Sequence, residues 1–264
     1  MKMQKVSLNL GADSKAYLKG YCLEENPTTA QVSYPTVLVV PGGGFQKIPY
    51  QEMDRICLAF ANAGYQAFYL RYHLLGEIEG ALMPTPLLDL AEAIRTLREK
   101  EKDWHMNGDL TLMGLSIGGS IVSLYNGCFM REEFLEKANL TKEQAMPNRI
   151  VLGYPVTSYD KDFPKTEELQ AQMTTTPAQL DSSKLVNKES KPTFLWTTWE
   201  DQVLDLTHSL DYVKALKEND VPGEVHIFDH GPHGLGLADA RTTLQGDDHV
   251  AHWFSLCLEW MRRN

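Results

Sequence analysis

Short apolar runs alternate with longer amphipathic stretches along most of the chain. The runs predict strands at residues 6–10, 17–23, 36–40, 66–71, 110–113, 149–154, 193–198 and 224–228. The first two alternate apolar and polar positions and read as an antiparallel edge. The middle runs are nearly continuous in apolar residues, as expected of strands covered on both faces. Between them lie stripes at helical spacing. One is Leu87, Leu90, Ala91, Ile94 and Leu97, after Pro84 and Pro86. A second is Leu210, Val213 and Leu216; a third is Val250, Trp253, Phe254, Cys257, Trp260 and Met261. The pattern predicts an α/β fold: a mostly parallel twisted sheet with an antiparallel N-terminal edge and helices on both faces. One domain over residues 1–264 accommodates it. Residues 129–148 are charged and helical in character. Residues 159–191 are polar and predict a small lid, or a plain surface excursion, between two strands.

Composition narrows the function classes. The net charge of −10 argues against a nucleic-acid partner, which calls for clustered Lys and Arg. No apolar run approaches the length of a membrane span, so no membrane partner is expected. Cys22, Cys57, Cys128 and Cys257 are scattered, without a C-x-x-C pair, and read as reduced core residues. The N-terminal residues lack the apolar centre of a signal peptide. Together these features predict a cytoplasmic protein. The oligomeric state is left open.

The candidate chemistry begins directly after the run at 110–113, with Gly114-Leu115-Ser116-Ile117-Gly118-Gly119. This is a G-x-S-x-G pentapeptide between an expected strand and the apolar helix-like stretch Ser120-Ile121-Val122-Ser123-Leu124-Tyr125. Chance gives roughly one such match in ten chains of this length, so the context must carry the inference. A serine hydroxyl is a weak nucleophile until a base takes its proton. Ser116 therefore calls for a histidine, an acid to orient it, and N–H donors for an oxyanion.

Each has a candidate on a loop after a strand. His233 lies in Asp229-His230-Gly231-Pro232-His233-Gly234, with His230 as its rival. Asp201 lies in Trp199-Glu200-Asp201-Gln202-Val203, with Glu200 and Asp205 as alternatives. The run at 36–40 ends in Pro41-Gly42-Gly43-Gly44-Phe45, whose glycines let backbone N–H groups approach a reacting oxygen. A phosphate cradle there would need G-x-G-x-x-G or G-K-[ST], and neither is present. A metal at His230 and His233, or at Asp248 and His249, lacks a third ligand, so no metal or organic cofactor is expected.

In this order the motifs resemble those of the α/β-hydrolase superfamily, within it the hormone-sensitive-lipase-like and acetyl-xylan-esterase-like esterases. Pro41-Gly42-Gly43-Gly44-Phe45 is similar to that group's H-G-G-G-[FW] loop. Gly114 to Gly119 match its G-x-S-x-G-G elbow, and Asp201 with Val203 and His233 with Gly234 match its D-x-V and H-G segments. Asp89, Ala93, Leu97 and Trp104 fall in the stretch before the elbow strand. Two positions depart from the pattern. Pro41 stands where the group has histidine, so support for that loop must come from elsewhere. Arg71-Tyr72-His73-Leu74 is a variant of the Y-R-L segment, with histidine in the arginine position.

The resemblance implies a serine carboxylesterase acting on short-chain, acetyl-type esters of small molecules, sugar esters among them. Ser116, Asp201 and His233 would be catalytic, with the N–H groups of Gly43, Gly44 and Ile117 as the oxyanion hole. Phe45 and Leu115 would contact substrate. The alternatives are an amidase, formamidase or peptidase on the same residues, or a non-catalytic binding protein of the same fold.

Overall fold

The computed structural model describes residues 2–12, 14–24, 33–240 and 248–264. Eight strands form one sheet: β1 (Met3–Asn9), β2 (Tyr17–Leu23), β3 (Tyr34–Val40), β4 (Gln66–Arg71), β5 (Met106–Leu115), β6 (Arg149–Gly153), β7 (Thr193–Thr198) and β8 (Gly223–Phe228). Their order across the sheet is β1-β2-β4-β3-β5-β6-β7-β8. β1 pairs antiparallel with β2, and β2 antiparallel with β4; every pairing from β4 to β8 is parallel. This is an α/β-hydrolase sheet with the expected antiparallel edge.

The central strands are rich in apolar residues and buried at nearly every position because both faces are covered. β4, β6 and β7 have no exposed residue. Helices α1 (Tyr50–Asn62) and α8 (Asp248–Arg263) cover one face and meet through Phe60 and Phe254, with ring centroids 4.9 Å apart. Helices α2 (Thr85–Glu99), α3 (Ile117–Cys128) and α7 (Thr207–Glu218) cover the other. The apolar stripe of α2 is buried through Leu87, Leu90, Ala91, Ile94 and Leu97, and Pro86 stands in its first turn, where no N–H partner is needed. α3 is buried along almost its whole length, so it has little polar face to mark it as a surface helix.

The charged stretch 129–148 holds two short helices, α4 (Glu132–Ala138) and α5 (Lys142–Ala145). A capping box between Thr141 and Gln144 starts the second. The excursion after β6 carries α6 (Glu167–Met173) and two 3₁₀ turns. Its chain is tied back by the Ser182 N–H donating to the Thr157 carbonyl at 2.8 Å. No described helix is long and apolar enough to cross a membrane. The parallel strands point their carboxyl ends to one rim, where α/β sheets place their sites. The residues that follow β3, β5, β6, β7 and β8 all meet there.

Candidate active site

Ser116 is the single residue between β5 and α3. Its backbone sits at φ +54°, ψ −121°, a region that a side-chain-bearing residue rarely adopts. Such a conformation costs about 1–3 kcal/mol and persists only where the surroundings enforce it. Here the Ser116 N–H donates to the Gly153 carbonyl at 3.0 Å. Its own carbonyl accepts from Gly119 at 2.9 Å and Val156 at 3.1 Å. The glycines are required by crowding. A Cβ on Gly118 would collide with the carbonyl oxygens of Val40 and Pro41, and one on Gly114 would lie 2.5 Å from the Gly118 carbonyl oxygen. The turn therefore presses the start of α3 against the end of β3.

The loops after β7 and β8 bring their side chains to this serine. Ser116 Oγ lies 2.7 Å from His233 Nε2, and His233 Nδ1 lies 2.6 Å from Asp201 Oδ2. With the Nδ1 proton directed at the carboxylate, Nε2 is left to accept from the serine hydroxyl. The Asp201 carboxylate is almost fully buried, at 4% side-chain exposure. Its second oxygen accepts from the N–H groups of Val203 at 2.8 Å and Leu204 at 3.0 Å. Burial pushes Asp201 upward, but the hydrogen bond and charge of His233 and those two amides outweigh it, leaving the carboxyl below its ordinary value. It stays ionised to orient the ring. The rival residues go elsewhere. His230 pairs with Asp229 at 2.7 Å, Glu200 is exposed, and Asp205 accepts from the Thr207 N–H at the start of α7.

The glycine loop after β3 lies directly against the serine. A Cβ on Gly42 would be 3.1 Å from Ser116 Cβ. Gly43, Gly44 and Phe45 follow at φ +115°, +64° and +61°, and the Gly43 carbonyl accepts from Gln46 at 3.0 Å. Among the described residues, no main-chain carbonyl accepts from the N–H groups of Gly43, Gly44 or Ile117. Polarised donors without such partners beside a serine hydroxyl are suited to receive a developing oxyanion.

Support for this loop comes from the segment with the second departure. The Tyr72 hydroxyl donates to the Pro41 carbonyl at 2.9 Å, and the Leu75 N–H donates to the Phe45 carbonyl at 2.9 Å. That segment is in turn fixed by His73. Its N–H donates to Asp89 Oδ2 at 2.8 Å, and its Nδ1 lies 2.9 Å from the same oxygen. Burial raises the Asp89 carboxyl above its ordinary value despite these bonds.

The two expected substrate contacts are placed differently. The Phe45 side chain is fully buried and packs edge-on against Tyr72, with ring centroids 5.8 Å apart. Its positive φ turns the ring down into the core. Leu115 is 1% exposed and wedged over Gly153. Both side chains are buried in the fold instead of standing exposed at the rim. The supports that sequence reasoning missed are Tyr72, Thr198, whose hydroxyl donates to the Gly231 carbonyl at 2.7 Å, and Tyr154, whose ring lies 4.9 Å from that of His233. A signal for Tyr154 is present: an aromatic followed by Pro155 at the end of an apolar strand. Among the described residues, no cluster of three His, Cys, Asp or Glu side chains is arranged as metal ligands.

Comparison with known proteins agrees with this architecture. The carboxylesterase Cest-2923 of Lactobacillus plantarum is 30% identical, with a TM-score of 0.91 over 100% of this chain and 98% of that one. An acetyl ester-xyloside bifunctional hydrolase of Caldicellulosiruptor lactoaceticus is 28% identical, with a TM-score of 0.78 over 98% and 96% of the two chains. The endo-1,4-beta-xylanase B of Butyrivibrio fibrisolvens is 26% identical over 211 residues, 77% of this chain, which spans 33% of that longer protein. The BD-FAE family model matches residues 25–216, most of the sheet and the elbow included. With these matches and its eight-stranded, mostly parallel sheet, the chain belongs to the BD-FAE family of the α/β-hydrolase superfamily.

Proposed function

We propose that this protein is a serine carboxylesterase that removes short acyl groups, acetyl foremost, from small molecules such as sugars. The observation that carries this reading is the unbroken line Ser116 Oγ–His233 Nε2 at 2.7 Å and His233 Nδ1–Asp201 Oδ2 at 2.6 Å, beside the N–H groups of Gly43 and Gly44, which have no main-chain acceptor among the described residues. Ser116 attacks the ester carbonyl as His233 takes its proton. Asp201 holds the imidazole tautomer and stabilises the imidazolium. The N–H groups of Gly43, Gly44 and Ile117 receive the oxyanion. The alcohol leaves with the proton from His233, and water then attacks the acyl-enzyme by the same route. The acyl preference draws support from the bifunctional acetyl ester hydrolase among the similar structures.

The test is hydrolysis of p-nitrophenyl esters from acetyl to long acyl, and of acetylated xylo-oligosaccharides, by wild type and Ser116→Ala. Turnover should fall with acyl length, and the variant should lose activity by a factor on the order of a million. Undiminished turnover by Ser116→Ala would remove the nucleophile. Turnover confined to N-formyl or anilide substrates would replace the esterase reading with an amidase.

A further inference from the structure

Tyr154 follows β6 directly, one residue beyond the carbonyl that anchors the serine turn. Its φ is +37°, an unusual conformation for a bulky aromatic residue. Its N–H donates to the Trp196 carbonyl at 2.7 Å, holding the turn open in that conformation. The ring is buried, and two other rings flank it at the same spacing. On one side is His233, with centroids 4.9 Å apart and planes inclined at 67°. On the other is Trp196, at 4.9 Å and 90°. Trp196 in turn stacks on Trp253 of α8, at 4.9 Å and 14°. Both indoles are fully buried. A continuous file of rings thus runs from the C-terminal helix, through the sheet, to the imidazole of His233.

Two rings of this file, Tyr154 and Trp253, grip the same residue. The Tyr154 hydroxyl accepts from the Gly236 N–H at 3.2 Å, and Trp253 Nε1 donates to the Gly236 carbonyl at 3.0 Å. Gly236 lies three residues beyond His233, and a side chain there would run into the Glu52 carboxylate. The loop that carries the imidazole is therefore pinned at one residue, from two sides, by Tyr154, which packs on that imidazole, and by Trp253 at the far end of the file. His233 has hydrogen-bond partners at both nitrogens, Asp201 and Ser116, but these fix only the line through the ring. Rotation about that line is limited by what packs on its faces. Edge-on aromatic packing has a geometric preference that aliphatic packing lacks.

We propose that Tyr154 is the positioning residue for His233. Its ring sets the tilt of the imidazole, and Trp196 and Trp253 hold that ring and the His233 loop as one unit. The inference rests on the reading of His233 as the base of Ser116.

The test compares Tyr154→Phe and Tyr154→Met with wild type and Ser116→Ala. Phe keeps the ring and removes only the acceptor for Gly236; Met keeps apolar volume and removes the ring. For each, kcat and KM on p-nitrophenyl acetate are measured, with thermal unfolding and the downfield proton resonance of the His233–Asp201 hydrogen bond. Tyr154→Met should lose kcat by a factor on the order of a hundred, the scale of a small misplacement of reacting groups, with KM little changed. The downfield resonance should broaden or move, although the protein is folded at the assay temperature. Tyr154→Phe should keep most of the wild-type kcat and the resonance in place. Wild-type kcat and an unmoved resonance in Tyr154→Met would overturn the inference. So would equal losses in the Phe and Met variants that track only the fraction unfolded. A fully active Ser116→Ala protein would instead remove the esterase mechanism itself. An inactive Ser116→Ala beside a fully active Tyr154→Met would remove this inference alone.

Discussion

The Tyr72 hydroxyl donates to the Pro41 carbonyl at 2.9 Å, and both groups are buried. That bond joins the segment after β4 to the first residue of the glycine loop. It supplies the support that a side chain at position 41 cannot give, because proline carries no polar group. Removing the hydroxyl leaves the carbonyl buried and unpaired and frees the loop to shift relative to Ser116. A net hydrogen bond is worth about 1 kcal/mol, which corresponds to a several-fold change in rate if it is felt only in the transition state. Tyr72→Phe should therefore lower kcat by up to about tenfold with KM nearly unchanged. A rise in KM at constant kcat would place Tyr72 in substrate binding instead.

How far the sequence revealed this arrangement depends on the kind of contact. All eight strands stand at the predicted runs. The central ones are legible because burial on both faces leaves a run that no surface element imitates, whereas β1 and β8 are largely exposed or half-buried and show alternation instead. Boundaries differ where the ends are polar: β5 begins at Met106 and includes Asn107, Gly108 and Asp109. Helix α1 is not among the stripes read from the sequence, although Met53, Ile56, Cys57, Phe60 and Ala61 lie on its buried face. Glycine and charged positions were legible because crowding and proton transfer demand particular residue types. Side-chain direction was not. Phe45 and Leu115 adjoin the glycine loop and the serine in the chain, but a positive φ turns one inward and the end of a buried strand holds the other. Tyr72 and Tyr154 act through a hydroxyl and a ring edge that meet their partners only in the folded chain.

Asp201 makes an acid-range prediction as well as a kinetic one. Its folded value lies below the ordinary aspartate value of 3.8. The stability it contributes is therefore present above that value and is lost as pH falls through the lower folded value. Asp201→Asn removes this contribution. The stability gap between wild type and variant should be full near neutrality and narrow below pH 3.8, as denaturant titrations at several pH values would show. At neutral pH the amide also disturbs the tautomer of His233, and kcat should fall by about ten-thousandfold. A gap that stays constant into the acid range would mean that the carboxylate is not held in its charged form by His233 and the loop amides.

A second imidazole predicts a pH dependence nearer neutrality. His208 of α7 is buried, at 1% side-chain exposure, and its Nε2 lies 2.7 Å from Asp162 Oδ1 in the excursion after β6. Its Nδ1 accepts from the Thr157 N–H at 3.1 Å, so the bound ring is neutral, with its proton on Nε2. The other oxygen of Asp162 accepts from the Asp205 N–H at 2.6 Å, which ties the excursion to the loop carrying Asp201. Burial lowers His208 below its ordinary value of 6.5. Asp162 and Asp205 pull the other way, and Lys161 adds to the lowering. Protonation would also set an Nδ1–H against the Thr157 N–H. For a histidine with a lowered folded value, the unfolded chain takes up the proton first, so stability is present above pH 6.5 and declines as pH falls below it. Wild type should lose melting temperature on going from pH 7.5 to pH 5. His208→Asn, less stable at pH 7.5, should lose distinctly less over the same interval. Parallel losses in the two proteins would show that other groups set the acid sensitivity and that the His208–Asp162 tether does not titrate in this range.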